Sequence, residues 1–147
     1  MLREKFDSIP SFYKPEYVLD NDFNTRWQSA DTVGAPAWIM IDLEKETTIS
    51  SVEIIFEYVL KKYGYTLEYL SGKKAKSFEE AKQSKKWLLY ASNIQNSPTY
   101  NSKKVEARFI KLSIKSVDLP RGKDYQGAIK LDFENHPSVV EFKVYGE

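Results

Sequence analysis

Residues 17–29 read YVLDNDFNTRWQS, and within them residues 20–25 carry five short oxygen-bearing side chains in six positions. Hard cations such as Ca²⁺ bind six to eight oxygens from carboxylates, amides and backbone carbonyls. An EF-hand loop is excluded, because Thr25 stands where that loop needs glycine and Asp31 stands where it needs a bidentate glutamate. Local composition leaves two interpretations equally open: a cation site, or an Asx-rich turn without metal.

Five stretches around this segment alternate apolar and polar residues with a period of two. This pattern is typical of strands with one buried and one solvated face. Several such strands at short spacing predict an antiparallel sandwich or barrel. The predicted core residues of four stretches are Ile39, Ile41 and Leu43; Val52, Ile54 and Phe56; Ile110, Leu112 and Ile114; Val140, Phe142 and Val144. The fifth stretch, residues 65–70, reads the same way.

One short helix is predicted after Ser77, which with Glu80 forms the S-x-x-E pattern of a capping box. It lies in a lysine-rich stretch, residues 73–86, which we interpret as a solvated surface excursion. Loops are predicted at residues 8–16, 28–36 and 118–138. Long loops on a rigid sandwich are where binding residues tend to lie.

The bulk composition excludes several function classes. The chain has 147 residues, a net charge of +1 and no cysteine, which rules out disulfides, thiolate nucleophiles and cysteine-ligated zinc. The balanced charge gives no field for steering nucleic acid or anionic lipid. No nucleophile elbow, P-loop, dinucleotide fingerprint or H-E-x-x-H motif is present. We therefore predict a single non-catalytic domain over residues 1–147, excised from a larger protein.

Five motifs extend the pattern in order along the chain: VLDNDFNTRWQS (18–29), AWIMIDL (37–43), TISSV (48–52), ARFIKL (107–112) and VEFKVYG (140–146). The ordered set resembles the discoidin, or coagulation factor 5/8 type C, domains, including family 32-like carbohydrate-binding modules. That resemblance implies an all-β fold. The implied fold is an antiparallel jelly-roll β-sandwich of about eight strands that is galactose-binding-domain-like. In this chain it is expected to include one short helix in the lysine-rich insert.

The resemblance also implies a structural cation, calcium or sodium, that ties the early loop to the last strand. The implied ligands are Tyr17, Asp20, Asp22, Thr25, Val140 and Glu141. Asp20, Thr25 and Glu141 would bind through side chains, the other three through backbone carbonyls. Asn21 replaces the family glycine, which the turn tolerates because asparagine accepts left-handed backbone angles. Glu141 is opposite in phase to the predicted core residues of its strand, so it is expected to turn toward the cation.

Glycan binding by loops at one end of the sandwich is a further implication of the resemblance. The candidate glycan-binding residues are Gln28, Asp31, Glu57, Tyr58, Tyr125 and His136. Galactose-binding relatives carry a histidine, an arginine and an asparagine where this chain has Gln28, Glu57 and Tyr58, so galactose specificity is not implied. Trp27 is expected in the core, since tryptophan is highly buried on average.

The function predicted from these features is a carbohydrate-binding accessory domain of a bacterial glycoside hydrolase. Its expected partners are a glycan and the catalytic domain of the parent polypeptide, with no nucleic acid and no membrane. The expected state is a monomer, and the expected location is extracellular, cell-surface or periplasmic. The alternative is a structural or protein-interaction domain of the same fold without a glycan site. A membrane-surface binder ranks third, because the chain lacks cysteines and apolar loop spikes.

Overall fold

The computed structural model describes the backbone of residues 5–8, 11–13, 27–29, 37–56, 62–96, 98–118 and 138–146. Side chains are described within residues 37–56, 63–94, 98–115 and 139–146. The elements are β1 (Lys5–Ser8), β2 (Ser11–Tyr13), β3 (Trp27–Ser29), β4 (Ala37–Phe56), β5 (Lys62–Leu70), α1 (Phe78–Gln83), β6 (Leu88–Asn96), β7 (Thr99–Asp118) and β8 (Ser138–Gly146). Every strand pairing is antiparallel, which confirms the predicted all-β class with one short helix.

A long ribbon of β4 and β7 organises the sandwich. It runs from the pair Ala37–Ile114 to the pair Ile54–Thr99, with the register interrupted first between Asp42 and Thr47 and again between Ile49 and Ser51. Layer one contains β1, the first half of β4, the second half of β7, β5 and β6. Layer two contains β2, β3, β8, the second half of β4 and the first half of β7. The ribbon therefore passes from one layer to the other at the first interruption.

Aromatic packing shows that the ribbon doubles back on itself. The ring of Phe56, at the end of β4 in layer two, stacks on the ring of Tyr63, near the start of β5 in layer one. The ring centroids lie 3.9 Å apart and the planes are within 6° of parallel. The two layers therefore face each other across the core.

One hydrophobic cluster fills the space between the layers. Eleven of the twelve core residues named from the strand patterns belong to it: Ile39, Ile41, Leu43, Val52, Ile54, Phe56, Ile110, Leu112, Ile114, Phe142 and Val144. Tyr63, Tyr65 and Leu67 join them from β5. The period-two patterns are thus confirmed where the chain forms regular strands.

The prediction that Val140 shares the core face of β8 is wrong. Glu141 pairs with Ile55 of β4, whereas the next residue of β4, Phe56, pairs with Val139. One extra residue is therefore inserted in β8, which is a β-bulge and reverses the side-chain phase beyond it. Val139 joins the core cluster, and Val140 is buried outside it.

The ribbon turns at an ion pair. The carboxylate of Asp42 accepts hydrogen bonds from Nε and Nη2 of Arg108, at 2.8 and 3.1 Å. It also accepts one from the backbone N–H of Glu44, at 2.7 Å. Glu44 has a φ of 71°, the left-handed conformation that non-glycine residues adopt at a cost. Asp42 is buried, so this arrangement holds the bend from within.

The lysine-rich insert is only partly the solvated excursion that we predicted. Its lysines are exposed, but Ala75 and Ala81 are fully buried. They form a second cluster with Met40, Leu70 and Phe109 on the outer face of layer one; Trp38, Phe78 and Trp87 pack against it. The insert therefore covers apolar side chains that alternate outward from layer one.

The predicted capping box forms with one change. Ser77 Oγ accepts a hydrogen bond from the backbone N–H of Glu80 at 3.2 Å, as expected for the N-cap of α1. The carboxylate of Glu80 accepts from the backbone N–H of Lys76, at 2.7 Å, one residue further back than the pattern predicts. The helix start is stabilised by both bonds.

Truncating Phe78 tests whether the insert belongs to the folded core. Its ring meets that of Phe109 edge-on with centroids 6.1 Å apart. Because Phe78 is only half-buried, we expect Phe78→Ala to lower the free energy of unfolding by about 2 kcal/mol, less than for a fully buried phenylalanine. Urea denaturation measures the change, with the exposed Lys85→Ala as the control, expected within about 0.5 kcal/mol of the parent. Equal small effects from both would show that the insert contributes nothing to stability.

Candidate functional site

Strand termini gather at one end of the sandwich, which we call the loop end. There β4 ends at Phe56, opposite Val139 near the start of β8. Lys62, the first residue of β5, pairs with both Asn96 and Asp118, the last residues of β6 and β7. The chain therefore leaves and re-enters the two layers repeatedly at this end, which is where binding loops are positioned on a sandwich.

The predicted glycan-binding residues fall next to these termini in the sequence. Glu57 and Tyr58 follow the last residue of β4, Tyr125 and His136 fall between β7 and β8, and Asp31 falls between β3 and β4. All five lie outside the described residues, so their assignment stays a prediction. Gln28 lies in β3, paired with Ser138 of β8, while its side chain is outside the described part.

Two of the predicted cation ligands lie side by side in β8. Glu141 is fully buried, and both of its carboxylate oxygens are shielded from solvent. A buried carboxylate is costly unless positive charge or hydrogen-bond donors compensate it. Val140 is the inserted residue of the bulge, and such a residue stands outside the regular ladder. The assignment of Glu141 and Val140 as cation ligands stays a prediction.

The remaining predicted ligands precede β3. Tyr17, Asp20, Asp22 and Thr25 lie outside the described residues. The strand that follows them pairs with β8, with Trp27 opposite Val139. Within the described part, no group of three or more histidine, cysteine or acidic residues is arranged to hold a metal. The described part of the predicted cation site is thus its β8 side.

The pKa of Tyr145, which lies on the same strand as Glu141, is raised. Burial raises the pKa of Tyr145, and the carboxylates of Glu53 and Glu141 raise it further. The Tyr145 hydroxyl donates a hydrogen bond to Glu53 Oε1 at 3.3 Å. Ionisation of the Tyr145 hydroxyl is therefore disfavoured, first by burial and then by Glu53.

A cleft that the sequence patterns did not predict lies over β5, β6 and β7. Its volume is about 550 Å³, and its lining residues are Gly64, Tyr65, Ser92, Asn93, Ile94 and Lys115. These residues are distant in sequence and meet only through strand pairing. The one local signal is Gly64, because glycine inside a strand often marks a place of close approach.

Among the described residues, no helix is both long and apolar enough to cross a membrane.

Comparison with protein families gives one match. The family model described as F5/8 type C domain matches residues 5–130, which is most of the chain. No curated protein matches the chain significantly.

Solved structures share the fold over nearly the whole chain. Chitosan-binding module 2 of a chitosanase/glucanase from Paenibacillus sp. IK-5, in complex with chitotriose, is 19% identical, with 99% of this chain and 98% of that chain covered and a TM-score of 0.71. The CBM32 of AlyQ, in complex with 4,5-unsaturated mannuronic acid, is 14% identical, with 96% and 93% covered and a TM-score of 0.64. A GH29 fucosidase from Ruminococcus gnavus, in complex with fucose, is 22% identical; the match covers 98% of this chain and 25% of that chain, with a TM-score of 0.69. At these identities the likeness establishes the fold.

Proposed function

Because the chain belongs to the F5/8 type C domain family, we propose that it is a non-catalytic carbohydrate-binding module that binds glycan at its loop end. The observation that carries the proposal is its match, over nearly the full length of both chains, to binding modules solved with sugars. The gathering of strand termini at the loop end supports the location of the site. Residues on the intervening segments, including Tyr58 and His136, supply the aromatic and polar groups that sugar recognition needs.

We propose that the module is an accessory domain of a secreted glycoside hydrolase. A domain of this fold occupies about a quarter of the GH29 fucosidase from Ruminococcus gnavus. An equivalent arrangement here would keep a catalytic domain near its glycan, with the module acting as a monomer. The proposed location is extracellular or on the cell surface.

A titration followed by ¹H–¹⁵N chemical shifts tests the loop-end site. The probes are chitotriose, fucose, galactose and a mannuronate trimer. We expect one sugar class to give saturable shifts that include Glu57, Tyr58 and His136. Tyr58→Ala should weaken that binding by at least about tenfold, the effect of losing roughly 1.4 kcal/mol of contact. Leu88→Ala is the control, because Leu88 is exposed and lies at the opposite end of β6 from Asn96, and it should leave the affinity unchanged.

If none of the four sugars changes the chemical shifts, the result favours the alternative, a structural or protein-interaction domain without a glycan site. This alternative is kept because the chain differs from galactose-binding relatives at three candidate positions, Gln28, Glu57 and Tyr58.

We propose that a structural cation, calcium or sodium, joins residues 17–25 to β8. Tyr17, Asp20, Asp22, Thr25, Val140 and Glu141 would hold it. The complete burial of Glu141 supports this assignment, since a cation compensates a buried carboxylate. The pairing of β3 with β8 also supports it, because Thr25 is two residues before Trp27 and two residues span at most about 7 Å. Such a cation would supply positive charge and cross-link two distant segments of the chain.

A further inference from the structure

The cleft over β5, β6 and β7 lies on the outer face of layer one, on the opposite side of that sheet from the core. Tyr63, Tyr65 and Leu67 of β5 point into the core cluster, so the alternating residues Gly64 and Thr66 face outward. Because Gly64 has no side chain, it leaves the space that the cleft occupies. A volume of about 550 Å³ falls within the range of small-ligand sites, roughly 300–1,000 Å³.

Hydroxyl groups lie beside this space in one row across the strands. Thr66 pairs with Ser92 on β6 and with Ser113 on β7, and Ser113 pairs in turn with Trp38 on β4. The hydroxyls of Thr66 and Ser92 are 3.5 Å apart. Ser92 is exposed, so its hydroxyl is available to a ligand.

The sheet beneath the cleft is held rigid from its core side. The amides of Asn93 and Asn101 donate hydrogen bonds to the Tyr65 hydroxyl, at 3.3 and 2.9 Å. Asn93 also donates to the side-chain oxygen of Asn101, at 3.0 Å. These bonds join β5, β6 and the first half of β7, so the lining residues are ordered before any ligand arrives, which lowers the entropic cost of binding.

Charge distinguishes the two ends of this face. Toward the insert, Lys111 Nζ lies 3.8 Å from Glu68 and 4.5 Å from the centre of the Trp87 ring. The ammonium group of Lys111 therefore already forms an ion pair and a cation–π contact. In the cleft, Lys115 is exposed and forms no ion pair with any described residue. None of the described residues that line the cleft is acidic. Among the described residues, the cleft therefore offers the ammonium group of Lys115, the hydroxyl of Ser92 and the apolar side chain of Ile94, which is 66% exposed.

We propose that this cleft is a second glycan-binding site, separate from the loop end, for oligosaccharides that carry carboxylates. Lys115 binds a uronate carboxylate, Ser92 hydrogen-bonds a ring hydroxyl, and Ile94 packs on the apolar face of the sugar. A lysine bonded to a carboxylate makes a charge-assisted hydrogen bond, stronger than a neutral one. The site does not depend on what the loop end binds.

The test compares α-1,4-linked trigalacturonate and a mannuronate trimer with neutral α-1,4-galactotriose, by chemical-shift titration of the full chain. We expect an acidic trimer to shift the amides of Gly64, Ser92 and Lys115 to saturation. The neutral trimer should bind there at least about fivefold more weakly than the acidic trimer. Added salt should weaken the binding of the acidic trimer. Lys115→Gln should weaken binding by a similar factor, while Lys115→Arg should restore most of it. Lys45→Gln, at the bend of β4, is the control and should change nothing.

Three outcomes would overturn the proposal, and they differ in what else they affect. Shifts confined to Tyr58, His136 and their neighbours would reject the cleft while the loop-end site stands. Equal affinity of the cleft for acidic and neutral trimers would reject the role of Lys115. No shift at the cleft with either acidic trimer would reject the site, and the broader glycan panel would then judge the loop end separately.

Discussion

Chelation of calcium is expected to lower the free energy of unfolding by about 3 to 4 kcal/mol, when the control sample contains free calcium at roughly 100 to 1,000 times its Kd. A cation that binds only the folded state must stabilise that state, and here it would also compensate the buried carboxylate of Glu141. Thermal and urea denaturation with calcium or with EDTA measure the difference. Repeating the comparison in sodium and in choline chloride distinguishes a sodium site from a calcium site.

Glu141→Gln is the variant that assigns the cation to β8. It keeps the size of the side chain but removes the charge, so the stability of this variant should no longer depend on the cation. Glu53→Gln is the matched control, because Glu53 is a glutamate on the adjacent strand that binds the Tyr145 hydroxyl instead. If neither calcium nor sodium changes the free energy of unfolding of the parent protein, the cation proposal is wrong. If the Glu141→Gln variant is still stabilised by the cation, the cation binds at another site.

Removing the Asp42 carboxylate is expected to destabilise the fold by about 3 to 5 kcal/mol, the typical cost of breaking a buried ion pair from one side. The Arg108 side chain is only 18% exposed, and that of Asp42 is 8% exposed. The hydrogen bonds that Arg108 donates to Asp42 raise the pKa of Arg108. A guanidinium stays charged at neutral pH even without them, so Asp42→Ala leaves Arg108 without its carboxylate. The N–H of Glu44 loses its acceptor in the same variant.

Urea denaturation of Asp42→Ala, Arg108→Ala and the double variant separates the pair from its surroundings. The double variant should be less destabilised than the sum of the two single variants, because it leaves no uncompensated charge. The exposed pair Lys82–Glu79, 3.1 Å apart, is the control, and Glu79→Ala should cost less than about 0.5 kcal/mol. A cost below about 1 kcal/mol for Asp42→Ala would show that the ion pair does not hold the bend.

The sequence predicted the regular strands because burial on one face imposes a period of two, as in Ile110, Leu112 and Ile114. It failed at Val140, because a bulge depends on the pairing with β4 and leaves no mark in the local pattern. It also failed to predict the burial of Met40 and Phe109, which alternate outward and are covered only because the insert folds over them.

One candidate site could be predicted from the sequence, and the other could not. Motif resemblance singled out Glu141 as a cation ligand; the structure shows that it is fully buried on β8, and its role as a ligand stays a prediction. The cleft could not be found from the sequence, because Gly64, Ser92 and Lys115 come together only through the register of three strands. A binding role for a single lysine cannot be predicted without knowing which residues lie next to it. The sequence therefore did not distinguish Lys115 from the other lysines.

The doubled ribbon has a consequence for synthesis on the ribosome. The apolar first half of β4 pairs with the end of β7, as in Ala37 with Ile114, and its second half also needs β8, the last strand. Such long-range pairing is slow to form, because a large chain segment must close before the contacts are made. One edge of the first half of β4 pairs with β1, which is synthesised earlier, but the rest of β4 stays unpaired until nearly all of the domain has emerged. Truncations that stop before β8 should accumulate as aggregates or be degraded, and in a longer polypeptide this domain folds only after its C-terminal strand leaves the exit tunnel.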